Sequence, residues 1–145
     1  MKVKDLLKTR SHSLITIGPN ETLHAALRKL AENNIGALPV CEPGGPVLGI
    51  VSERDLIKEC FLRLDAIKRT LVKAVMTTDV VIGLPEDDLE YVASVMTQKG
   101  IRHLPIMAGP KLEGMVSNRD VVEARLAESK AEVRYLNAYI SGGYS

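Results

Sequence analysis

The chain has no tryptophan, a single phenylalanine and only 3% aromatic residues in all. Its core must be built from Val, Ile, Leu, Ala and Met, and the scarcity of rings argues against the base-stacking platforms of many single-strand binders. A dominant charge is also missing. Nineteen Lys and Arg against eighteen Asp and Glu leave a formal net charge of +1, which argues against a nucleic-acid footprint over the whole surface and leaves room for a local basic patch. No apolar run approaches the length of a membrane span, and Met1 to Leu14 alternates charged and apolar residues without the hydrophobic stretch of a secretory signal. A soluble, cytoplasmic chain without membrane contact is expected. Cys41 and Cys60 form no C-x-x-C, and His12, His24 and His103 are scattered. The thiols are therefore expected to be buried in a reducing compartment, and no metal site is expected.

What the sequence does have is a duplication. Pro19, Leu23, Ile35, Leu38 and Pro39 recur 66 positions later as Pro85, Leu89, Ile101, Leu104 and Pro105. Gly49, Val51, Ser52, Arg54 and Asp55 recur 65 positions later as Gly114, Val116, Ser117, Arg119 and Asp120, so the second copy is one residue shorter between Ile106 and Gly114. A unit of about half the chain exceeds the 20–50 residue periods of solenoid arrays, and two copies imply pseudo-two-fold pairing. The 46% hydrophobic share of 145 residues is enough for one packed domain, whereas each half alone would be marginal. Function is expected where the copies meet.

Within the first copy, Val3 to Leu7 reads as a short amphipathic turn and Leu14 to Ile17 as a strand closed by Gly18-Pro19-Asn20. Leu23, Ala26, Leu27 and Leu30 have the spacing of a helix that buries one face, and Asn33-Asn34 supplies its stop. Ala37–Cys41 and Val47–Ser52 are β-rich runs around the turn cluster Glu42 to Pro46, which predicts a hairpin. Pro39 cannot donate to a ladder and is expected near a strand end or edge. Arg54 to Leu64 returns to helical spacing. The second copy repeats the order, with a leading turn at Val72 to Met76, a strand at Val80 to Ile82, a helix over Leu89 to Lys99 and hairpin strands at His103 to Met107 and Leu112 to Ser117. Residues 65–71 are too short and regular to be a flexible tether. The fold class is α/β (α+β): two β-α-β-β-α repeats, 1–66 and 67–125, packed as one module, with a C-terminal helical extension over 126–145.

In that extension Val122, Leu126, Ser129, Val133, Leu136 and Ile140 are spaced 4, 3, 4, 3 and 4, as in a coiled-coil seam. Such a stripe serves either a homodimer or a helix lying across its own domain. Gly142-Gly143 is expected to end it.

The repeated Ser52-Glu53-Arg54-Asp55 and Ser117-Asn118-Arg119-Asp120 each follow a Gly-apolar-Val strand and open a helix. One reading is a capping box, in which Ser and Asp satisfy each other's backbone N–H groups. The other uses the same geometry for a ligand: free N–H groups and the Ser hydroxyl meet phosphate, and the carboxylate accepts from a pair of ribose hydroxyls. Arg54 and Arg119 are readable as exposed helix-start residues.

With their preceding Ile and Leu-Pro-apolar strands, these two G-x-V-S-x-R-D segments resemble the cystathionine β-synthase (CBS) domain, over about residues 1 to 125. The resemblance implies a pseudo-symmetric pair with two clefts that bind AMP, ADP, ATP, S-adenosylmethionine or NAD as regulatory ligands, with no catalytic cofactor. It implies Asp55 and Asp120 as ribose partners, Ser52 and Ser117 as hydroxyls near ribose and phosphate, and Thr16 and Ile82 as the border of the adenine. Arg102 and His103 match a phosphate-reaching basic pair where the first copy has Gly36-Ala37. Ala37, Arg54, Ile101, Pro105 and Arg119 complete the expected ligand-binding set. Arg102 is expected to serve the Asp120 cleft, which would make that cleft the stronger phosphate site unless Arg54, or a basic group crossing from the second copy, serves the first. A sensor acting on a separate target protein, and pairing as a homodimer, is the leading reading. A nucleotide-hydrolysing enzyme lacks an activated nucleophile, a Gly-rich phosphate loop and a metal-binding carboxylate cluster in the sequence. A structural or nucleic-acid-associated adaptor, with both Ser-x-x-Asp motifs serving only as caps, is the alternative.

Overall fold

A computed structural model describes residues 1–9 and 14–141, with side chains as far as Lys130. Helix α1 (Val3–Lys8) is followed by α2 (Leu23–Asn33), the hairpin β1 (Ala37–Cys41) and β2 (Val47–Ser52), and α3 (Glu53–Arg63). Two 3-10 turns, Leu64–Ala66 and Val72–Ala74, lead into α4 (Leu89–Lys99), the hairpin β3 (His103–Ala108) and β4 (Lys111–Ser117), and α5 (Asn118–Ser141). This is the mixed helix-and-sheet repeat expected. Helix α2 starts where the Thr22 side chain accepts from Ala25 N–H and stops at Asn34, whose φ of 51° is left-handed. Gly100 ends α4 with a φ of 66°.

Equivalent residues form two cores. Leu23, Ala26, Leu30, Leu38, Val40, Val51 and Leu56 are buried together in the first copy, and Leu89, Val92, Met96, Leu104, Ile106, Val116 and Val121 in the second. Each core is completed by the leading segment of the other copy. Val3 and Leu6 of α1 lie in the second core, and Val72 lies in the first. The backbone repeats the exchange bond for bond: Val3 N–H donates to Asp87 C=O and Lys4 N–H to Pro85 C=O, as Val72 N–H does to Glu21 C=O and Lys73 N–H to Pro19 C=O, all between 2.8 and 3.0 Å. Leu89 N–H to Met1 C=O matches Leu23 N–H to Thr70 C=O. Neither core is complete without the opposite half, so the two halves pack as one unit. The crossing segments also explain the glycines before each Val-Ser. A Cβ on Gly49 would stand 2.7 Å from the Thr77 carbonyl oxygen, and one on Gly114 2.9 Å from a Leu7 methyl.

The expected leading strands shrink to one bridge in each copy, Ile17 to Val40 and Gly83 to Ile106, both parallel. Ile17 N–H donates to Pro39 C=O and Cys41 N–H to Ile17 C=O; Gly83 N–H donates to Pro105 C=O and Met107 N–H to Gly83 C=O. The next bond toward the N-terminus would need an N–H on Pro39 or Pro105, and proline has none. Pro39 therefore lies inside β1, opposite Ile50, and stops the ladder on the other side. In the two-stranded sheet β1 is an edge strand, so Pro39 has the edge place expected of it.

Cys41 and Cys60, expected to be buried, are partly exposed free thiols. Helix α3 buries only Leu56. Ile57, Phe61 and Leu64 point outward at 67, 86 and 69% exposure, and the positions 65 further on repeat this at Val122 and Leu126 of α5. The rest of the predicted seam, Val133, Leu136 and Ile140, and the stop at Gly142-Gly143 lie outside the described side chains and residues, as does His12. No described helix is long and apolar enough to cross a membrane.

Candidate functional site

Both hairpins open toward the same region. Ser52 stands opposite Ala37 at the open end of the first, and Ser117 opposite His103 at the open end of the second. Between them is a cavity of about 200 Å³. Its first-copy wall is Gly36, Ala37, Ile50 and the helix start Ser52 to Asp55; its second-copy wall is Gly100 to His103 and Pro105. Thr77 and Asp79 to Val81 close a third side. Thr77 is held there by a reciprocal pair of backbone hydrogen bonds with Ile50, each 2.9 Å.

Eight of the predicted residues come together in this cavity: Ala37, Ser52, Arg54, Asp55, Ile101, Arg102, His103 and Pro105. Thr16, Ile82, Ser117, Arg119 and Asp120 do not line it. Thr16 gives its carbonyl to Lys29 Nζ at 2.7 Å, and Ile82 is half exposed. Arg102 and His103 were expected to belong with Asp120; both also line the Asp55 cavity across the pseudo-two-fold, while His103 stays within reach of the Asp120 charge. The physical reason is that the open ends of the two hairpins abut. Gly36 has no side chain to keep them apart, and a Cβ there would meet His103 Nε2 at 3.1 Å. Glu53, Asp79, Val80 and Val81 were missed. Val80 and Val81 adjoin the expected Ile82, and the truncated ladder at Pro105 is the signal that the non-paired residues before Gly83 border the cavity.

The capping box is present at both motifs. Asp55 Oδ2 accepts from Ser52 N–H at 2.9 Å and from Ser52 Oγ–H at 3.0 Å, while Asp55 N–H donates to Ser52 Oγ at 3.3 Å. Asp120 and Ser117 make the same three bonds at 2.6, 2.7 and 3.1 Å. Capping does not exhaust the Asp55 carboxylate. Oδ1 makes no hydrogen bond among the described residues, so a residue that lines the cavity keeps one acceptor oxygen for a ligand hydroxyl.

His103 is half-buried, and burial holds its imidazole below the ordinary value of 6.5. The carboxylates of Glu53 and Asp120 pull it back up, and the Arg102 guanidinium pushes it down. Between 6.5 and the lowered value the unfolded chain binds more protons than the folded one, so the stability His103 contributes is complete above 6.5 and lost as pH falls through the lowered value. Chemical denaturation of His103→Gln between pH 7.5 and 5 should show a shallower loss of stability than the parent chain; parallel curves would contradict the placement. Among the described residues no group of three or more His, Cys, Asp or Glu could hold a metal ion.

The CBS domain family matches this chain twice, over residues 3–61 and 72–127. The chain is 32% identical over 150 residues to the CBS domain-containing protein CBSX3, mitochondrial, of Arabidopsis thaliana, covering 98% of this chain and 73% of that protein. Among solved structures, the CBS-domain containing protein ATU1752 of Agrobacterium tumefaciens is 34% identical with a TM-score of 0.80, over 86% of this chain and 99% of that one. CBSX2, solved in complex with AMP, is 27% identical with a TM-score of 0.74, over 88 and 98% of the two chains. The CBS domain pair of protein MJ0100, solved with 5-methylthioadenosine and S-adenosyl-L-methionine, is 25% identical with a TM-score of 0.75, over 90 and 98%. Duplicated hairpins, helix starts and cores are thus those of a tandem pair, and the chain belongs to the CBS domain family.

Proposed function

We propose that this chain is a regulatory module of the cytoplasm that binds an adenosine-containing nucleotide, and that occupancy of its clefts is read by a separate partner protein. The observation that carries the reading is one cavity lined by Asp55, whose Oδ1 has no hydrogen bond among the described residues, on one wall and by Arg102 on the other. A carboxylate suits paired ribose hydroxyls, and a guanidinium suits phosphate through forked charge-assisted hydrogen bonds. AMP in CBSX2, and S-adenosylmethionine and methylthioadenosine in the MJ0100 pair, share the adenosine moiety. Ser52, Arg54 and Ala37 frame the helix start where ribose and phosphate would meet, and Ile101, Pro105, Val80 and Val81 give the base an apolar surround. Because the cavity is built from both copies, a ligand would bind more tightly to one relative pose of them, which is the condition for acting as a switch. Calorimetry with adenosine, AMP, ADP, ATP, NAD and S-adenosylmethionine tests this. Saturable binding of at least one, with a raised unfolding temperature, is expected. No binding by any of them, together with salt-dependent binding of RNA or DNA, would replace the sensor with an adaptor.

The outward stripes Ile57, Phe61 and Leu64 on and after α3, and Val122 and Leu126 on α5, support a homodimer, because pseudo-symmetric apolar faces suit a second copy of the same chain. Light scattering of the parent should report about twice 15.8 kDa. Phe61→Glu should shift it toward the monomer, since it places a charge where an apolar surface would be covered. A parent that is monomeric at high micromolar concentration would contradict the dimer.

A further inference from the structure

The two copies place opposite charges at different positions of their hairpin ends, and both charges belong to residues that line one cavity. Glu53 N–H donates to Gly36 C=O at 2.9 Å, and Asn118 N–H donates to Arg102 C=O at 2.8 Å, so Glu53 matches Asn118 and Gly36 matches Arg102. The first copy puts a carboxylate on its helix start and nothing on its strand. The second puts a guanidinium on its strand and a neutral amide on its helix start. Both charged side chains belong to residues lining the Asp55 cavity, and Asn118 does not.

Glu53 also comes close to the basic pair. Its Oε1 lies 3.4 Å from the point a Gly36 Cβ would occupy, and His103 Nε2 lies 3.1 Å from the same point. Carboxylate and imidazole thus converge on the bare backbone of Gly36 from opposite copies. Around them the cavity holds Arg54 and Arg102 against Glu53, Asp55 and Asp79, a balance of −1 with His103 neutral. One phosphate can be matched by Arg102. Each further phosphate adds negative charge to a lining that is already acidic, and the repulsion grows with phosphate number although Glu53, Arg54, Asp79 and Arg102 are exposed to water.

We infer that Glu53 is a specificity-determining residue that restricts the Asp55 cleft to adenosine ligands bearing no more than one phosphate, rejecting polyphosphates by like-charge repulsion. This rests on the adenosine-binding reading above and adds to it the charge of the ligand. Discrimination is achieved by an unfavourable contact with the competitor, while the contact that holds the preferred ligand is Arg102.

The test is the ratio of ATP to AMP affinity, measured by calorimetry at fixed ionic strength on the full chain and on Glu53→Gln. Glutamine keeps the length of the side chain and leaves the Ser52–Asp55 cap and the bond from backbone N–H to Gly36 in place. The parent is expected to prefer AMP, and E53Q to gain about tenfold in ATP affinity with AMP changed by less than about threefold. A thermal midpoint close to the parent's confirms that the variant folds. If the parent binds no adenosine compound, the underlying reading fails. If it binds AMP but also binds ATP as tightly, or if E53Q leaves the ratio unchanged, adenosine binding stands and the role of Glu53 is wrong.

Discussion

Asp55→Ala is expected to weaken AMP binding by about 100-fold, the loss of two charge-assisted hydrogen bonds worth about 1.5 kcal/mol each. Asp120→Ala should change it by less than about threefold, because Asp120 does not line the Asp55 cavity. The pair of variants carries its own control. Both aspartates close a capping box with the same three hydrogen bonds, so each substitution should lower stability by about 1 kcal/mol. A difference in AMP affinity between the two therefore cannot come from loss of the cap. Titration calorimetry at 25 °C checks this. Equal losses, or a larger loss from Asp120→Ala, would return the strong cleft to the second copy.

Gly49→Ala should be the most damaging such substitution among the described glycines. The new Cβ would lie 2.7 Å from the Thr77 carbonyl oxygen and 2.8 Å from Met76 Sδ, and the first of these is backbone that is itself bonded to Ile50. Relief requires moving the crossing segment, so a loss of about 2–4 kcal/mol is expected. The same change at Gly114 meets the end of the Leu7 side chain at 2.9 Å, which can rotate away, and should cost about 1 kcal/mol. Urea denaturation gives both values, and an inverted order would mean that Leu7 is the more rigid contact. Gly49→Ala should also weaken AMP binding, because residues 77 to 81 form one side of the cavity.

The duplication was legible because the same side chains return at fixed offsets, and the structure repeats them as equivalent hydrogen bonds and equivalent core positions. The exchange of leading segments was not. Val3 and Val72 are 69 positions apart rather than 66, and an amphipathic turn of a few residues does not reveal which core it fills. That Pro39 cannot donate is plain from its chemistry, but the consequence, a leading strand reduced to one bridge, depends on which side of β1 the missing bond falls. Helix α3 is legible as a helix, but not which side of it is buried. Ile57 and Phe61, with Leu64 just after the helix, have helical spacing, yet of α3 Leu56 alone reaches the core and these three face outward. At the candidate site, Asp55, Ser52, Arg102 and His103 could be named from their motifs. Their grouping is open in the sequence between the two clefts, since Arg102 joins Asp55 only because the hairpin ends of opposite copies meet at Gly36.

The central claim is that one adenosine ligand spans the two copies, with its ribose on Asp55 and its phosphate on Arg102. A crystal structure of the chain grown with AMP tests it most directly. Both ribose hydroxyls are expected within hydrogen-bond distance of Asp55, the phosphate on the Arg102 guanidinium and the adenine between the 80–81 backbone and Ile101. AMP bound with its ribose on Asp120 and its phosphate away from Arg102, with the Asp55 cavity empty, would contradict it.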